Sequence, residues 1–94
     1  MLESDTSATA EPIEHRRKRL YMRSIRRGIK EMDLILTAYA DAKLAGRSDE
    51  ALTLYDQFLS ENDHDLYQWV TGQVASPVEY SSLVHHIQAQ VNGA

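Results

Sequence analysis

Apolar residues recur at intervals of three and four positions along most of this 94-residue chain. In the clearest stretch, from Ile29 to Ala45, they follow the spacing that places side chains on one face of an α-helix. The apolar positions of that stretch are Met32, Ile35, Leu36, Tyr39 and Ala40. Sustained alternation of apolar and polar residues, which is typical of a half-buried strand, does not occur. The spacing therefore predicts an all-α fold.

Residues that start or end helices divide this pattern into five segments. A glycine between the first two segments, Gly28, is expected to take a positive φ and end the first helix. Residues 12–94 are predicted to form one domain, a compact five-helix bundle, and residues 1–11 a disordered N-terminal tail. The punctuating residues are Pro12 at the first position of a helix, Gly28, Gly46, the cap Ser48, Asn62 or Asp63, and the capping box Ser76-Pro77-Val78-Glu79.

Charge is distributed unevenly along the chain. Eight of the ten lysines and arginines lie between Arg16 and Lys30, and none follows Arg47. From Ser48 to Ala94 the chain carries seven acids. The basic first helix could contact phosphate or an acidic protein surface, whereas the acidic half would repel nucleic acid. A solvated helix face with extended cationic side chains is the plainer alternative.

Side chains with the composition of an active site or a metal centre are not apparent. Cysteine is absent, which excludes thiolate zinc sites and cysteine nucleophiles. Asp63, His64 and Asp65 could meet a cation, but they lack the ligand number and geometry of a true site. The serines and histidines of the last helix lack a nucleophile elbow and an oxyanion loop. We therefore predict no catalytic, metal-binding or cofactor-binding residue, and a protein that is not an enzyme.

Two features of the sequence bear on the compartment. Apolar runs never reach the roughly 20 residues that a membrane-spanning helix needs. Residues 1–11 carry acids and no base, unlike a signal peptide or a transit peptide. These features predict a soluble cytoplasmic protein without direct membrane insertion.

A compact polar cluster marks the junction of the first two helices. Arg27 and Glu31 are four residues apart, and Gly28 lies between them. On a continuous exposed helix they would form an ion pair contributing roughly 0.3–0.5 kcal/mol. A helix break at Gly28 makes that pair less certain. Arginine suits bidentate recognition of a partner's carboxylate or carbonyls, and glycine permits close approach. The cluster therefore predicts a docking surface for another protein.

The same residues carry a family resemblance. The segment Arg27-Gly28-Ile29-Lys30-Glu31 matches an Arg-Gly-x-x-Glu motif, followed at the family's separation by Asp65-Leu66-Tyr67-x-Trp69 and a last helix started by proline. In these residues the chain resembles the small bacterial FAD assembly factors of succinate dehydrogenase, SdhE, and their mitochondrial counterpart, succinate dehydrogenase assembly factor 2. The resemblance covers roughly Arg16 to Val91.

The resemblance implies a five-helix assembly factor that binds the flavoprotein subunit of succinate dehydrogenase, here called the client, and promotes its covalent flavinylation. Fumarate reductase flavoproteins are further candidate clients. FAD would belong to the client, whose own active site would form the bond, and direct contact between FAD and this chain stays open. The expected form is a monomer in the bacterial cytoplasm.

The resemblance also assigns roles to residues. Arg27 would make the directed polar contact with the client, Gly28 would allow close approach, and Glu31 would contact the client or orient Arg27. The surrounding cations would mainly speed encounter through their charge. These weaker candidates are Arg23, Arg26 and Lys30.

Two other functions are compatible with the sequence. The basic segment from Arg16 to Lys30 could bind nucleic acid, with a steep dependence on salt. The chain could also be an interaction module for a different protein, as a regulator or an antitoxin-like protein would be.

Overall fold

The computed structural model describes residues 11–93, which form five α-helices and two short 3₁₀ turns. Within that range there is no strand, so the predicted all-α bundle is confirmed. The two turns are Leu44–Gly46 and Val78–Tyr80. The helices are α1 (Ile13–Ser24), α2 (Lys30–Lys43), α3 (Asp49–Leu59), α4 (Asp63–Val70) and α5 (Ser81–Gly93).

Local capping explains where the middle helices begin. The Ser48 hydroxyl accepts a hydrogen bond from the Ala51 amide at 3.2 Å, and α3 starts at the next residue. The Asn62 side chain accepts from the His64 amide at 2.8 Å and starts α4 in the same way. Each cap satisfies an amide that has no partner inside its own helix.

Two predicted helix starts need correction. Pro12 is the cap of α1 and not its first helical residue. Pro77 is likewise a cap and not a first helical residue: it precedes the 3₁₀ turn Val78–Tyr80 and makes no side-chain cap hydrogen bond. The α-helical part of the last segment begins only at Ser81. The predicted capping box at Ser76 therefore does not set this helix start. The turn instead buries the Tyr80 ring, and tertiary packing overrides the local signal.

The core is formed by one apolar stripe from each helix. α2 packs against α1 and α5, while α1 also packs along α3, and α4 along α5. Burying these stripes together is the main stabilising term for a bundle of this size. The buried apolar residues are Leu20, Met32, Leu36, Tyr39, Ala40, Leu44, Leu52, Tyr55, Phe58, Leu59, Leu66, Val70, Tyr80, Leu83, Val84 and Ile87.

A buried polar contact joins the end of α1 to α3. Ser24 is fully buried; its hydroxyl donates to the Leu20 carbonyl at 2.8 Å and lies 2.6 Å from the Tyr55 hydroxyl. Because the serine hydroxyl already donates its proton to the Leu20 carbonyl, the Tyr55 hydroxyl is the donor to Ser24 Oγ. Burial raises the pKa of the Tyr55 phenol, which keeps it a donor. This contact fixes the last residue of α1, just before the bend that leads to α2.

A second polar contact fixes the start of α5 near the start of α4. The Tyr80 hydroxyl donates to Glu61 Oε2 at 2.8 Å. Burial, followed by the adjacent Glu61 carboxylate, raises the pKa of the Tyr80 phenol to about 12.

The predicted disordered tail covers residues 1–11, and residues 1–10 lie outside the described part of the chain. Glu11 is described, and its carboxylate accepts two hydrogen bonds from the Arg19 guanidinium, at 3.0 and 3.1 Å. Among the described helices, none is both long enough and apolar enough to cross a membrane.

Candidate functional site

The bend between α1 and α2 is where the predicted cluster lies. After Ser24 the backbone becomes extended at Ile25, and Arg26 takes a left-handed conformation with φ of 58°. The Arg26 amide donates to Asp33 Oδ1 at 3.0 Å, which holds this unusual residue against the first turn of α2. The prediction of a positive φ at Gly28 was therefore wrong, because Arg26 makes the reversal two residues earlier.

Gly28 is favoured for a different reason. Its amide donates to Asp63 Oδ2 at 2.6 Å, and a Cβ on Gly28 would lie 3.2 Å from that same oxygen. A distance of 3.2 Å is tighter than nine in ten real Cβ contacts, so the Asp63 carboxylate would have to move by a few tenths of an ångström. The absence of a side chain thus lets a carboxylate of α4 reach the backbone of the bend. Gly28 itself is exposed, so the bend is accessible from outside.

Arg27 points into the molecule. Its Nε and Nη2 donate to Asp63 Oδ1 at 3.0 and 2.7 Å. Nη1 and Nη2 donate to the carbonyls of Arg23 and Leu59 at 2.9 and 3.0 Å. Only 12% of the Arg27 side chain is exposed. One guanidinium therefore joins the ends of α1 and α3 to the start of α4, and its forked donors are already used by these internal acceptors.

The outward side of the bend is formed by other residues. Gly28, Arg26, Lys30 and Glu31 are exposed, and Leu34, one turn after Glu31 on α2, is 63% exposed. Within residues 11–93, Glu31 forms no ion pair, and Arg27 pairs with Asp63 instead, in line with the helix break that made an Arg27–Glu31 pair less certain. We call the set Arg26, Gly28, Lys30, Glu31 and Leu34 the bend surface.

The basic first helix is largely neutralised inside the fold. Arg16 pairs with Asp49, Arg23 with Asp56, and Arg27 with Asp63, so the arginines of one segment meet acids spaced seven residues apart. Arg17 pairs with Glu14, and Arg19 pairs with both Asp56 and Glu11. The hydrogen bonds from Arg19 lower the pKa of the Glu11 carboxyl. The rising residue numbers on both sides mean that α1 and α3 run in the same direction.

This pairing bears on the nucleic-acid alternative. Arginines that neutralise acids of α3 and α4 are not available to neutralise phosphates, and phosphate contacts supply most of non-specific nucleic-acid affinity. The basic and acidic segments, which are separate in the sequence, therefore pair with each other in the fold. Arg23, a weaker docking candidate, is held by Asp56 and by the Ser60 hydroxyl.

Two grooves of the described residues lie away from the bend surface. One of about 450 Å³ runs between α1 and the end of α2, and its floor includes Ala40 and Leu44. Another of about 310 Å³ lies beside Trp69. Neither of these two grooves is lined by a residue of the bend surface. Within the described residues, no three acidic or histidine side chains are grouped as metal ligands would be.

Comparison with known proteins identifies the family. A family-wide sequence profile described as "flavinator of succinate dehydrogenase" matches residues 18–91. The chain belongs to this family. The match covers the bend surface, Arg27 and Asp63, and it confirms the resemblance found in the sequence.

Three relatives of this flavinator family show how far the similarity extends. Succinate dehydrogenase assembly factor 2, mitochondrial, of Aspergillus flavus is 46% identical over 63 residues, covering 67% of this chain and 22% of the relative. The protein of the same name from Debaryomyces hansenii is 46% identical over 63 residues, covering 67% and 44%. Succinate dehydrogenase assembly factor 2-A, mitochondrial, of Drosophila willistoni is 38% identical over 74 residues, covering 77% and 47%. The chain thus spans between about a fifth and a half of the lengths of these relatives.

The predicted location in the bacterial cytoplasm is wrong. These relatives are all named as mitochondrial proteins. The prediction used the acidic composition of residues 1–11, which lie outside the matched residues 18–91 and so carry nothing that the family shares. Charge in an unmatched segment was a poor guide to compartment.

Asp63 is the residue of this site that sequence reasoning did not assign to it. In the sequence it stands only as a helix-start residue and a weak candidate cation ligand, because it is 36 residues from Arg27 and no helical spacing relates them. One signal could have found it. The resemblance rests on two segments, the Arg27–Glu31 motif and the segment from Asp65 to Trp69, and Asp63 lies just before the second of them.

Proposed function

We propose that this chain is an assembly factor that binds the flavoprotein subunit of succinate dehydrogenase through the bend surface and promotes its covalent flavinylation. The observation that carries the proposal is the accessible bend, held by Arg27 and Asp63 within the region that the flavinator family shares. Fumarate reductase flavoproteins are related candidate clients. The chain acts as a monomer and not as an enzyme.

The proposed mechanism is a shift in the client's conformational population. A helper that binds one client conformation more tightly raises its population by the ratio of the two affinities. The bond between FAD and the client then forms in the client's active site, with groups that the client provides. A role in binding alone fits the composition of the bend surface, which consists of a glycine, a carboxylate, two cations and a leucine.

Residues of the bend surface have distinct proposed roles. Glu31 is an exposed carboxylate that accepts hydrogen bonds from the client, and Gly28 lets client atoms come close to the backbone. Arg26 and Lys30 speed encounter through their charge. Arg27 acts through its internal contacts by fixing the bend, a change from the direct contact expected at first.

The test compares two matched glutamates. Glu31 and Glu50 are both exposed and both lie in the first turn of a helix, α2 and α3 respectively. The client is co-expressed with wild-type protein, Glu31→Ala or Glu50→Ala, and flavin fluorescence of the denatured client is measured in a gel.

We expect Glu31→Ala to reduce covalent flavin and Glu50→Ala to leave it unchanged. Loss of a charge-assisted hydrogen bond of about 1.5–3 kcal/mol corresponds to roughly 10- to 100-fold weaker binding. Both variants lose a similar, small interaction with the helix dipole, so a difference in folding cannot account for the result. Equal flavinylation with both variants would contradict the proposal.

A further inference from the structure

We propose that Asp63 is the positioning residue of the bend surface: its carboxylate fixes the geometry that the client recognises without touching the client itself. This inference rests on the proposed function, because it assigns the cause of that surface's shape. Asp63 lies on α4, outside the Arg-Gly-x-x-Glu segment, and its side chain is only 15% exposed.

The carboxylate uses both oxygens for different parts of the bend. Oδ1 accepts from Nε and Nη2 of Arg27, at 3.0 and 2.7 Å. Oδ2 accepts from the Gly28 amide at 2.6 Å. Consecutive residues of the bend are therefore held by a single group, which sets the direction of the backbone between α1 and α2.

Asp63 is itself well anchored. It is the first residue of α4, whose cap Asn62 accepts from the His64 amide. A carboxylate in the first turn is favoured by the positive end of the helix dipole. The Tyr80 hydroxyl binds Glu61 two residues earlier and joins this corner to the turn before α5. The anchor is therefore held by the start of α4, and that corner is linked through Glu61 to the turn before α5.

The chemistry of this site requires a carboxylate. All the groups facing Asp63 are N–H donors, so an asparagine would offer one oxygen for two sets of donors and turn its NH₂ toward the other set. Either the Arg27 fork or the Gly28 amide would then lose its acceptor. Loss of an acceptor for a largely buried, charged donor has a large effect on local structure.

A positioning role must be separated from ordinary stabilisation. Asp56 provides the matched control, since it also accepts hydrogen bonds from arginines of the basic segment, Arg19 and Arg23, and is 29% exposed. Within residues 11–93, the Asp56 carboxylate forms no hydrogen bond or ion pair with residues 25–29. Asp63→Asn and Asp56→Asn therefore both weaken arginine–carboxylate pairs, but only Asp63→Asn releases the bend.

The experiment measures client affinity by titration calorimetry, folding stability by chemical denaturation, and the Gly28 amide by NMR. We expect both variants to lose stability, and only Asp63→Asn to weaken client binding, by about tenfold or more. The Gly28 amide should exchange faster and move upfield in Asp63→Asn and keep its wild-type behaviour in Asp56→Asn.

Each other outcome overturns the inference. Wild-type client affinity of Asp63→Asn would overturn it and leave the proposed function standing, because Glu31→Ala tests that function independently. Equal loss of affinity in Asp63→Asn and Asp56→Asn would show an effect of general destabilisation. Normal binding by Glu31→Ala as well would instead remove the proposed function.

A second variant keeps the test decisive if Asp63→Asn does not fold. Arg27→Lys retains a positive charge beside Asp63 but cannot reach the carboxylate and two carbonyls at once. We expect it to weaken client binding severalfold with the Gly28–Asp63 hydrogen bond still formed. Wild-type client affinity of a folded Arg27→Lys protein would contradict the inference, whether or not the Gly28 amide signal changes.

Discussion

At the scale of single residues, three glycines of this chain differ in what they contribute. Gly72 has a φ of +84°, a conformation that L side chains rarely adopt. Gly46 has open space around its potential Cβ, and Gly28 faces Asp63 Oδ2 at 3.2 Å. The same residue type is therefore favoured by backbone conformation at one position, by close approach at another, and by neither at the third.

Alanine at each position should give a different change in the free energy of unfolding. Gly46→Ala should stabilise the protein by about 0.4–1 kcal/mol through the unfolded state, and Gly72→Ala should destabilise it by about 1 kcal/mol. In Gly28→Ala, displacement of the Asp63 carboxylate should cancel the entropic gain. Chemical denaturation measures all three, and a Gly28→Ala protein as stabilised as Gly46→Ala would contradict the close-approach explanation.

At the scale of elements, α2 presents two different faces. Its buried face carries Met32, Leu36 and Tyr39 into the core, whereas Glu31 and Leu34 lie one turn apart on the outer face. Leu34 is 63% exposed and lies one turn from the exposed Glu31 carboxylate. The bend surface therefore extends from the bend itself along the first turns of α2.

Leu34→Ser should weaken client binding and hardly change stability. Burying a leucine at an interface contributes about 1.5–3 kcal/mol, so we expect roughly a tenfold or larger rise in the dissociation constant. The change in folding free energy should stay within about 0.5 kcal/mol, since the residue is exposed. Val78→Ser removes a valine that is 87% exposed and lies outside the bend surface, and it should leave affinity unchanged. Equal effects of the two substitutions on client affinity would argue against this role of α2.

At the scale of the whole molecule, α2 and α5 are joined by a polar contact that depends on protonation. The Tyr39 hydroxyl lies 2.8 Å from His86 Nδ1, with the rings edge to face. Neutral histidine can accept a hydrogen bond from the tyrosine hydroxyl at Nδ1, whereas a protonated ring carries N–H at both nitrogens and can only donate to that hydroxyl. Burial, followed by the charges of Arg47 and Lys43, lowers the pKa of His86.

The sign of the resulting pH dependence follows from this direction. Because the pKa of His86 is lower in the folded protein, the unfolded chain binds more protons just below its ordinary value of about 6.5. Stability contributed by neutral His86 is therefore fully present above that pH and is lost as pH falls toward the folded-state pKa. Thermal unfolding between pH 8 and 5 should show a smaller decrease for His86→Gln than for wild type. His85→Gln, at the neighbouring exposed position, should retain the wild-type profile, and identical profiles for all three proteins would exclude His86 as the source.

Several features were determined by the sequence alone, because they depend on interactions between residues a few positions apart. The period of apolar residues specified helices, and caps such as Ser48 located the start of α3. The bend near Gly28 was predicted at the correct place, although the left-handed residue is Arg26. The last helix start was misplaced, since burial of Tyr80 outweighed the capping signal at Ser76.

Tertiary structure alone decided which groups the polar residues meet. Arg27 bonds to a carboxylate 36 residues away instead of Glu31, and the arginines of α1 are neutralised by acids of α3 that lie about 33 residues later. No local spacing encodes such pairs, because they exist only once α1 and α3 lie side by side. The physical reason is that helices form from short-range hydrogen bonds, whereas the partner and the exposure of each charge depend on how the helices pack.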